Sequence, residues 1–208
     1  MPFKFLQRIF GTAEIFAPDC FTSDKKFDRL YPPYIQKVAR KHFTSLGVAH
    51  MAAAFLAKED GAKILDIGSG AGKFCIAAAY YTPKAFYHGV ELRENLAINA
   101  EIVKNKLGIT NVAFIKGSFT DVDFTQYNHF YFYNSFYENI VDVGRIDEGL
   151  PFSKEMYKAY NAALFERLEQ MPAGTRLVTF HITQTELPSF FKVTREEVDG
   201  FLKFCIKV

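Results

Sequence analysis

The sequence predicts a doubly wound α/β domain on a mostly parallel sheet, and three observations carry that prediction. Short, continuously apolar runs alternate with helix-length segments through most of the chain, which is the rhythm of βαβ units with right-handed crossovers. A glycine triplet, Gly68, Gly70 and Gly72, falls directly after one such run and directly before a helical one. The last stretch breaks the rhythm: residues 190–197 and 201–208 flank Asp199-Gly200, a pair favoured in type I′ hairpin turns.

The elements follow in order. Residues 1–30 have weak periodicity and several turn residues, and read as an irregular arm with room for one short helix. Pro32-Pro33 punctuates the arm before a helix expected over 34–41. Thr44 and Ser45 are N-cap types for the next helix. Its apolar positions Leu46, Val48, Ala49, Ala52, Ala53, Phe55 and Leu56 form a stripe at helical spacing, and Gly61 is expected to close it. Residues 1–60 therefore read as an arm and helices packing on the core, and 61–208 as the domain proper. Strands are expected at 63–67, 85–90, 111–115, 130–133 and 176–182, with helices at 74–81, 93–107 and 153–170. Pro83 stops the first of these helices, Gly108 caps the second, and Ser153 and Met171-Pro172 bound the third. The strand runs are apolar throughout because parallel strands are covered on both faces. Near the end, Leu202, Phe204, Ile206 and Val208 alternate with Lys203, Cys205 and Lys207, the pattern of a strand with one buried face.

With 208 residues, 49% of them hydrophobic, the chain can bury one well-packed core. A net charge of +2 makes no electrostatic case for nucleic acid or an anionic membrane, so nucleic acid is the less favoured partner. The run KVARK at 37–41 reads as the solvated face of a helix. Cys20, Cys75 and Cys205 are an odd count without CxxC spacing and sit among apolar neighbours, the habit of reduced thiols. No apolar run is long enough to span a bilayer. The first residues carry Lys4 and Arg8 inside their apolar stretch and lack a small-residue cleavage site, so a cytoplasmic location is expected. The histidines at 42, 50, 88, 129 and 181 show no ligand spacing, and no GxSxG or Cys-His arrangement suggests hydrolysis.

The chemistry concentrates around the glycines. Missing Cβ atoms permit unusual dihedrals and close approach of a ligand to the backbone. A dinucleotide fingerprint wants a further glycine where Lys73 stands. Asp66, two residues before Gly68, adds a carboxylate that attracts an ammonium and repels a pyrophosphate. Glu91 closes the next strand, placed where a carboxylate accepts both hydroxyls of a ribose.

On Asp66, the glycine turn and Glu91, the chain from about Gly61 onward resembles the class I methyltransferases that use S-adenosylmethionine (SAM). The resemblance implies a seven-stranded Rossmann-like sheet with an antiparallel last strand, SAM as cofactor and S-adenosylhomocysteine as product. It places Asp66 at the methionine end and Gly68, Ser69, Gly70 and Gly72 along its backbone side. Glu91 would take the ribose and Leu92 the adenine. Ser118 stands where the family has an acidic residue for the adenine amino group, and the N–H of Phe119 is an equal candidate.

The loop after the fourth strand, YNSFYEN at 133–139, would face the reacting methyl. Asn134 and Tyr137 match the ends of the N-P-P-Y tetrad of amine-modifying methyltransferases, with Ser135 and Phe136 in place of the prolines. The chain also resembles, in part, the non-SET lysine methyltransferases, without their basic chromatin-binding segments. The side-chain oxygen of Asn134, or the Ser135 carbonyl, would accept an N–H and orient an amine, with Asn134 also bordering the cofactor, while Phe136 and Tyr137 wall the channel and attract the sulfonium. Thr44, in the segment 42–45, would fold over the methionine end, with Tyr34 a further candidate; His181 reads as structural. Metal-dependent relatives have acids where Asn134 stands, so no metal is expected. The function expected is methyl transfer to an amine nitrogen of a protein or small molecule. A non-catalytic SAM-binding module and a nicotinamide-dependent oxidoreductase remain open alternatives.

Overall fold

The structure, a computed structural model, describes residues 19–141, 145–147, 149–182 and 187–208. Two helices of the arm, α1 (Asp24–Asp28) and α2 (Pro33–His42), lead into α3 (Leu46–Leu56). Strand and helix then alternate: β1 (Lys63–Ile67), α4 (Lys73–Tyr81), β2 (Phe86–Glu91), α5 (Glu94–Leu107), β3 (Val112–Lys116) and β4 (His129–Phe132). The chain continues through α6 (Lys154–Glu169), β5 (Arg176–Phe180), β6 (Phe191–Glu197) and β7 (Leu202–Lys207). The seven strands form one sheet in the order β3-β2-β1-β4-β5-β7-β6. β1 to β5 pair in parallel, and β7 runs antiparallel to both β5 and β6.

Strand order explains the site. The chain steps outward from β1 to β3, then returns to lay β4 on the other side of β1. At such a reversal the loops leaving the two central strands diverge and leave a crevice at their carboxyl ends. The glycine turn after β1 and the Asn134 loop after β4 therefore become neighbours.

Each face of the sheet has its own core. Ile64, Tyr87 and Tyr131 pack with α3 and α4 on one face, whereas Leu65, Ile67, Phe130 and Phe132 pack with Leu164 and Leu168 of α6 on the other. Successive residues of a strand face opposite sides, so both parities must be apolar. Asp66 shares the parity of Ile64 and is the polar exception, buried at 3% exposure.

Several element ends differ from the sequence reading. α3 stops at Leu56, and Gly61 (φ 80) turns the chain ahead of β1, its N–H donating to Lys84 O. Ser45 alone caps α3, its hydroxyl accepting from Val48 N at 3.3 Å. The fifth strand ends at Phe180 because His181 takes φ 58, outside extended space. Glu197 pairs with Leu202 in the terminal hairpin, so its loop is residues 198–201 and not the two-residue turn expected. Val198, Asp199 and Gly200 all have positive φ there. β7 lies inside the sheet, and Leu202, Lys203, Phe204 and Cys205 are all buried. Covered on both faces, this strand does not follow its apolar-polar alternation; the Lys203 ammonium is satisfied by the carbonyls of Ile182 and Gly200.

The arm is fastened to the glycine turn. Lys73, buried at 3% exposure, meets Asp24 and Asp28 of α1 at 2.7 Å each. The Tyr31 hydroxyl donates to Ala71 O at 2.9 Å.

Candidate active site

A cavity of about 770 Å³ opens at the carboxyl ends of the central strands. Asp66, Gly68, Ser69, Gly70, Glu91, Leu92, Ser118, Phe119, Asn134, Tyr137 and Thr44 all border it. Gly72 and Tyr34 do not. A Cβ at Gly72 would lie 2.4 Å from the Phe114 ring and 2.8 Å from Ala100, so this glycine lets α5 and β3 close on the turn. The Tyr34 hydroxyl instead accepts from Asn99 on α5.

Four amides of the glycine turn are already committed. Gly68 N–H and Ser69 N–H donate to Val90 O, Gly70 N–H to Glu91 Oε2 at 2.9 Å, and Gly72 N–H to Ser69 O. A pyrophosphate is held by free N–H groups aimed at it, and these four are committed to the chain's own oxygens. What the turn presents is acidic. Glu91 is 6% exposed and also accepts from Arg93 N at 2.8 Å, which leaves each carboxylate oxygen one further lone pair for a hydroxyl donor. Burial holds its carboxyl above the usual range, against the pull of the Arg93 hydrogen bond.

Asp66 goes further. Burial pushes its carboxyl up to about 8, opposed by the Cys75 thiol that donates to it at 3.4 Å and reinforced by the charge of Glu91. A neutral acid beside a cavity becomes an anion when a cation arrives. Ser69 carries a second unfilled demand: its buried hydroxyl has no partner among the described residues. That side chain rests over Gly89, where a Cβ would lie 2.5 Å from Ser69 Oγ.

The loop after β4 is seated on β1. Ser135 Oγ donates to Ile67 O at 2.8 Å and reaches Gly68 O at 3.3 Å. A Cβ on Gly68 would fall 2.3 Å from that hydroxyl, so this glycine permits one loop to sit against the other. Asn134 has φ 33, and its Nδ2 donates to His181 O at 2.8 Å. Tyr137 is 49% exposed at the cavity, whereas Phe136 is buried against Phe119, Phe132 and Tyr160, which makes it core as much as channel wall. Thr44 is buried with its hydroxyl 2.8 Å from that of Tyr131. Ser118 caps a short turn by accepting from Thr120 N.

Arg93 escaped the sequence reading, and His42, Phe43, Tyr133 and His181, all within segments or positions named there, take partners it did not foresee. Arg93 bonds Glu138 at 2.5 Å and Asp147 at 3.2 Å, tying the ribose side of the cavity to the end of the acceptor loop. His42 approaches Glu138 at 3.9 Å, and Phe43 lies 3.4 Å from where a Gly70 Cβ would be. Tyr133 and His181 stack at 5.5 Å at the rim. None of these has a local signature, because each joins residues distant along the chain.

A turn with committed amides and two buried carboxylates suits a nucleoside that carries a cation, and S-adenosylmethionine is such a ligand, whereas a nicotinamide dinucleotide is not. A family model described as a methyltransferase domain matches residues 58–192, and the chain belongs to that family. The chain thus carries a methyltransferase domain of the class that uses S-adenosylmethionine.

Among curated proteins, a tRNA (guanine-N(7)-)-methyltransferase of Microcystis aeruginosa is 39% identical over 54 residues, 26% of each chain. The matched segment thus spans about a quarter of that relative. Among solved structures, TrmN from Thermus thermophilus superposes with a TM-score of 0.58 at 16% identity, covering 83% of this chain and 52% of that one. An RNA methyltransferase from Salinibacter ruber in complex with S-adenosylhomocysteine gives 0.52 at 19% identity, over 78% and 88% of the two chains. A SAM-dependent methyltransferase from Aquifex aeolicus gives 0.53 at 18%, over 88% and 98%. These likenesses show the shared fold. The Microcystis aeruginosa and Salinibacter ruber proteins are, by name, a tRNA and an RNA methyltransferase. Among the described residues no helix is long and apolar enough to cross a membrane.

Proposed function

We propose that the protein methylates a nitrogen of a nucleobase in RNA, with S-adenosylmethionine as donor and S-adenosylhomocysteine as product. The observation that carries the reading is Asn134. Its amide nitrogen is anchored on His181 O, which leaves the amide oxygen as the acceptor for an N–H of the substrate. Tyr137 at the rim and the Tyr133–His181 stack offer flat faces of the kind on which unstacked bases rest. The names of the tRNA and RNA relatives support a nucleobase as the carrier of that nitrogen. A protein or small-molecule amine, the expectation from the sequence, presents the same atom on a different carrier.

When bound, the cofactor supplies an electrophilic methyl on a sulfonium. Asn134 would direct the lone pair of the substrate nitrogen toward that methyl. The substrate proton goes to water, since an amide cannot take it. Alignment is the main contribution of such a site, worth about 7–11 kcal/mol in well-oriented systems. Asp66 would oppose the cofactor's cationic end, Glu91 would hold the ribose hydroxyls, and Leu92 with Phe119 would cover the base.

Asn134→Ala is expected to lower kcat about 10- to 100-fold, the value of one orienting hydrogen bond, with SAM affinity within about threefold of the parent. A collapse of affinity together with turnover overturns the assignment. Tritiated methyl should enter RNA in a fractionated lysate and be released by nuclease in base-modified nucleosides. Label confined to protein or metabolites sinks the RNA reading.

A pH dependence follows from Asp66. Its carboxyl, raised to about 8, stays protonated below that pH and must ionise to face a cation. SAM affinity should therefore climb up to about tenfold per pH unit toward pH 8 and level off above it. Calorimetry in buffers of different ionisation enthalpy should detect a released proton, and Asp66→Asn should flatten the profile. A flat parent profile from pH 6 to 9 without proton release contradicts the role.

A further inference from the structure

Resting on the RNA reading, we propose that the outer face of α2 is the surface on which the RNA backbone docks beside the methylated nucleotide. α2 turns Ile35 and Ala39 into the core and has no acidic residue; its exposed Lys37, Arg40 and Lys41 stand at i, i+3 and i+4, on one side of the helix. The final turn opens into the cavity: Arg40, Lys41 and His42 all border it.

The charges around α2 are arranged so that this face stays basic. Among the described residues, the acids of the adjoining arm are engaged elsewhere: Asp19 pairs with Lys26 at 2.6 Å, and Asp24 and Asp28 both serve Lys73. Among the described residues, no carboxylate lies within ion-pair distance of Lys37 or Arg40. The carboxylates of the cavity, Asp66, Glu91 and Glu138, are buried, and Glu138 is held by Arg93. The site is thus acidic within, where a cationic donor belongs, and basic at its lip. A net charge of +2 conceals this separation. Lysine and arginine at a lip next to stacking aromatics match a strand of phosphates with one base turned inward.

The test uses the full chain and unfractionated tRNA as the probe, with the dissociation constant followed across salt. Each phosphate contact contributes about 0.7–0.9 to the slope of log affinity against log salt. The Lys37→Gln/Arg40→Gln double variant should lower that slope by about 1–2 and weaken binding about tenfold near 0.1 M salt. An unchanged slope and affinity overturn the docking face while leaving the RNA reading intact. No binding of tRNA by the parent overturns both. Charges near a helix C-terminus also complement its dipole, so a variant that melts lower but keeps the parent slope counts against the proposal. Lys37→Gln alone, farther from that end, should still reduce the slope by about 0.7–0.9. Polyglutamate competing as well as tRNA would assign the face to an acidic protein and overturn RNA as its partner.

Discussion

Glu91→Ala is expected to weaken SAM binding by about 100-fold and to lower the melting temperature of the ligand-free protein. The first effect reflects the ribose: a hydrogen bond to a charged acceptor is worth about 1.5–3 kcal/mol, and two hydroxyls are at stake. The second has a separate origin. Glu91 accepts from Gly70 N–H at 2.9 Å and Arg93 N–H at 2.8 Å while almost fully buried. Alanine leaves both donors without a partner, at about 1–3 kcal/mol each. Glu91→Gln separates the two effects, because its amide oxygen can serve one N–H while its NH2 opposes the other. It should lie between parent and alanine in both melting temperature and affinity. Calorimetry and thermal melts decide: unchanged affinity with a lowered melting temperature makes Glu91 a latch for the turn and removes it from the ribose.

Gly68→Ala should abolish more than 99% of activity, an effect of about 2.7 kcal/mol or more on the barrier. The new Cβ would sit 2.3 Å from Ser135 Oγ and 2.4 Å from Ser135 Cβ, at a backbone φ of +77. Either the acceptor loop lifts from β1, which moves Asn134, or the turn distorts under the cofactor. Overpacking of this kind costs about 1–3 kcal/mol, and the left-handed backbone adds about 1–2 kcal/mol. Gly68→Ala/Ser135→Gly removes the collision and keeps the backbone strain, so it should recover part of the loss. The cycle of single and double variants measures the coupling. Strict additivity would show that the two loops do not communicate through this contact.

The sheet was legible because both of its faces are covered: β1, β2 and β4 are mostly apolar on both parities, and Asp66 and Glu91 stand out against them. The glycine turn was legible as a turn. Gly72 was assigned to the cofactor because glycine says only that a Cβ is unwelcome, not whether the neighbour is a ligand or the Phe114 ring. Asp199-Gly200 announced a hairpin, but register comes from pairing, and Glu197 opposite Leu202 makes the loop longer than the dipeptide. β7 alternated like a half-exposed strand since nothing local told that both of its faces would be covered, Phe204 lying in one core and Cys205 in the other. The charged pairs that finish the site were out of reach. Arg93 meets Glu138 at a sequence separation of 45, and no spacing rule spans that distance. Net charge was uninformative for the opposite reason: it averages the buried carboxylates of the cavity with the exposed Lys37, Arg40 and Lys41 of α2.

Lys73 entered the argument as a glycine that was missing, and its surroundings close an engineering route. Retargeting the enzyme to a dinucleotide by Lys73→Gly would restore the fingerprint on paper. The substitution frees none of the four committed amides, because their acceptors are Val90, Glu91 and Ser69. It would also strand Asp24 and Asp28 beside each other, without the cation that holds α1 to the turn. Selectivity against pyrophosphate is therefore written into the wiring of the backbone, where a one-codon change cannot reach it.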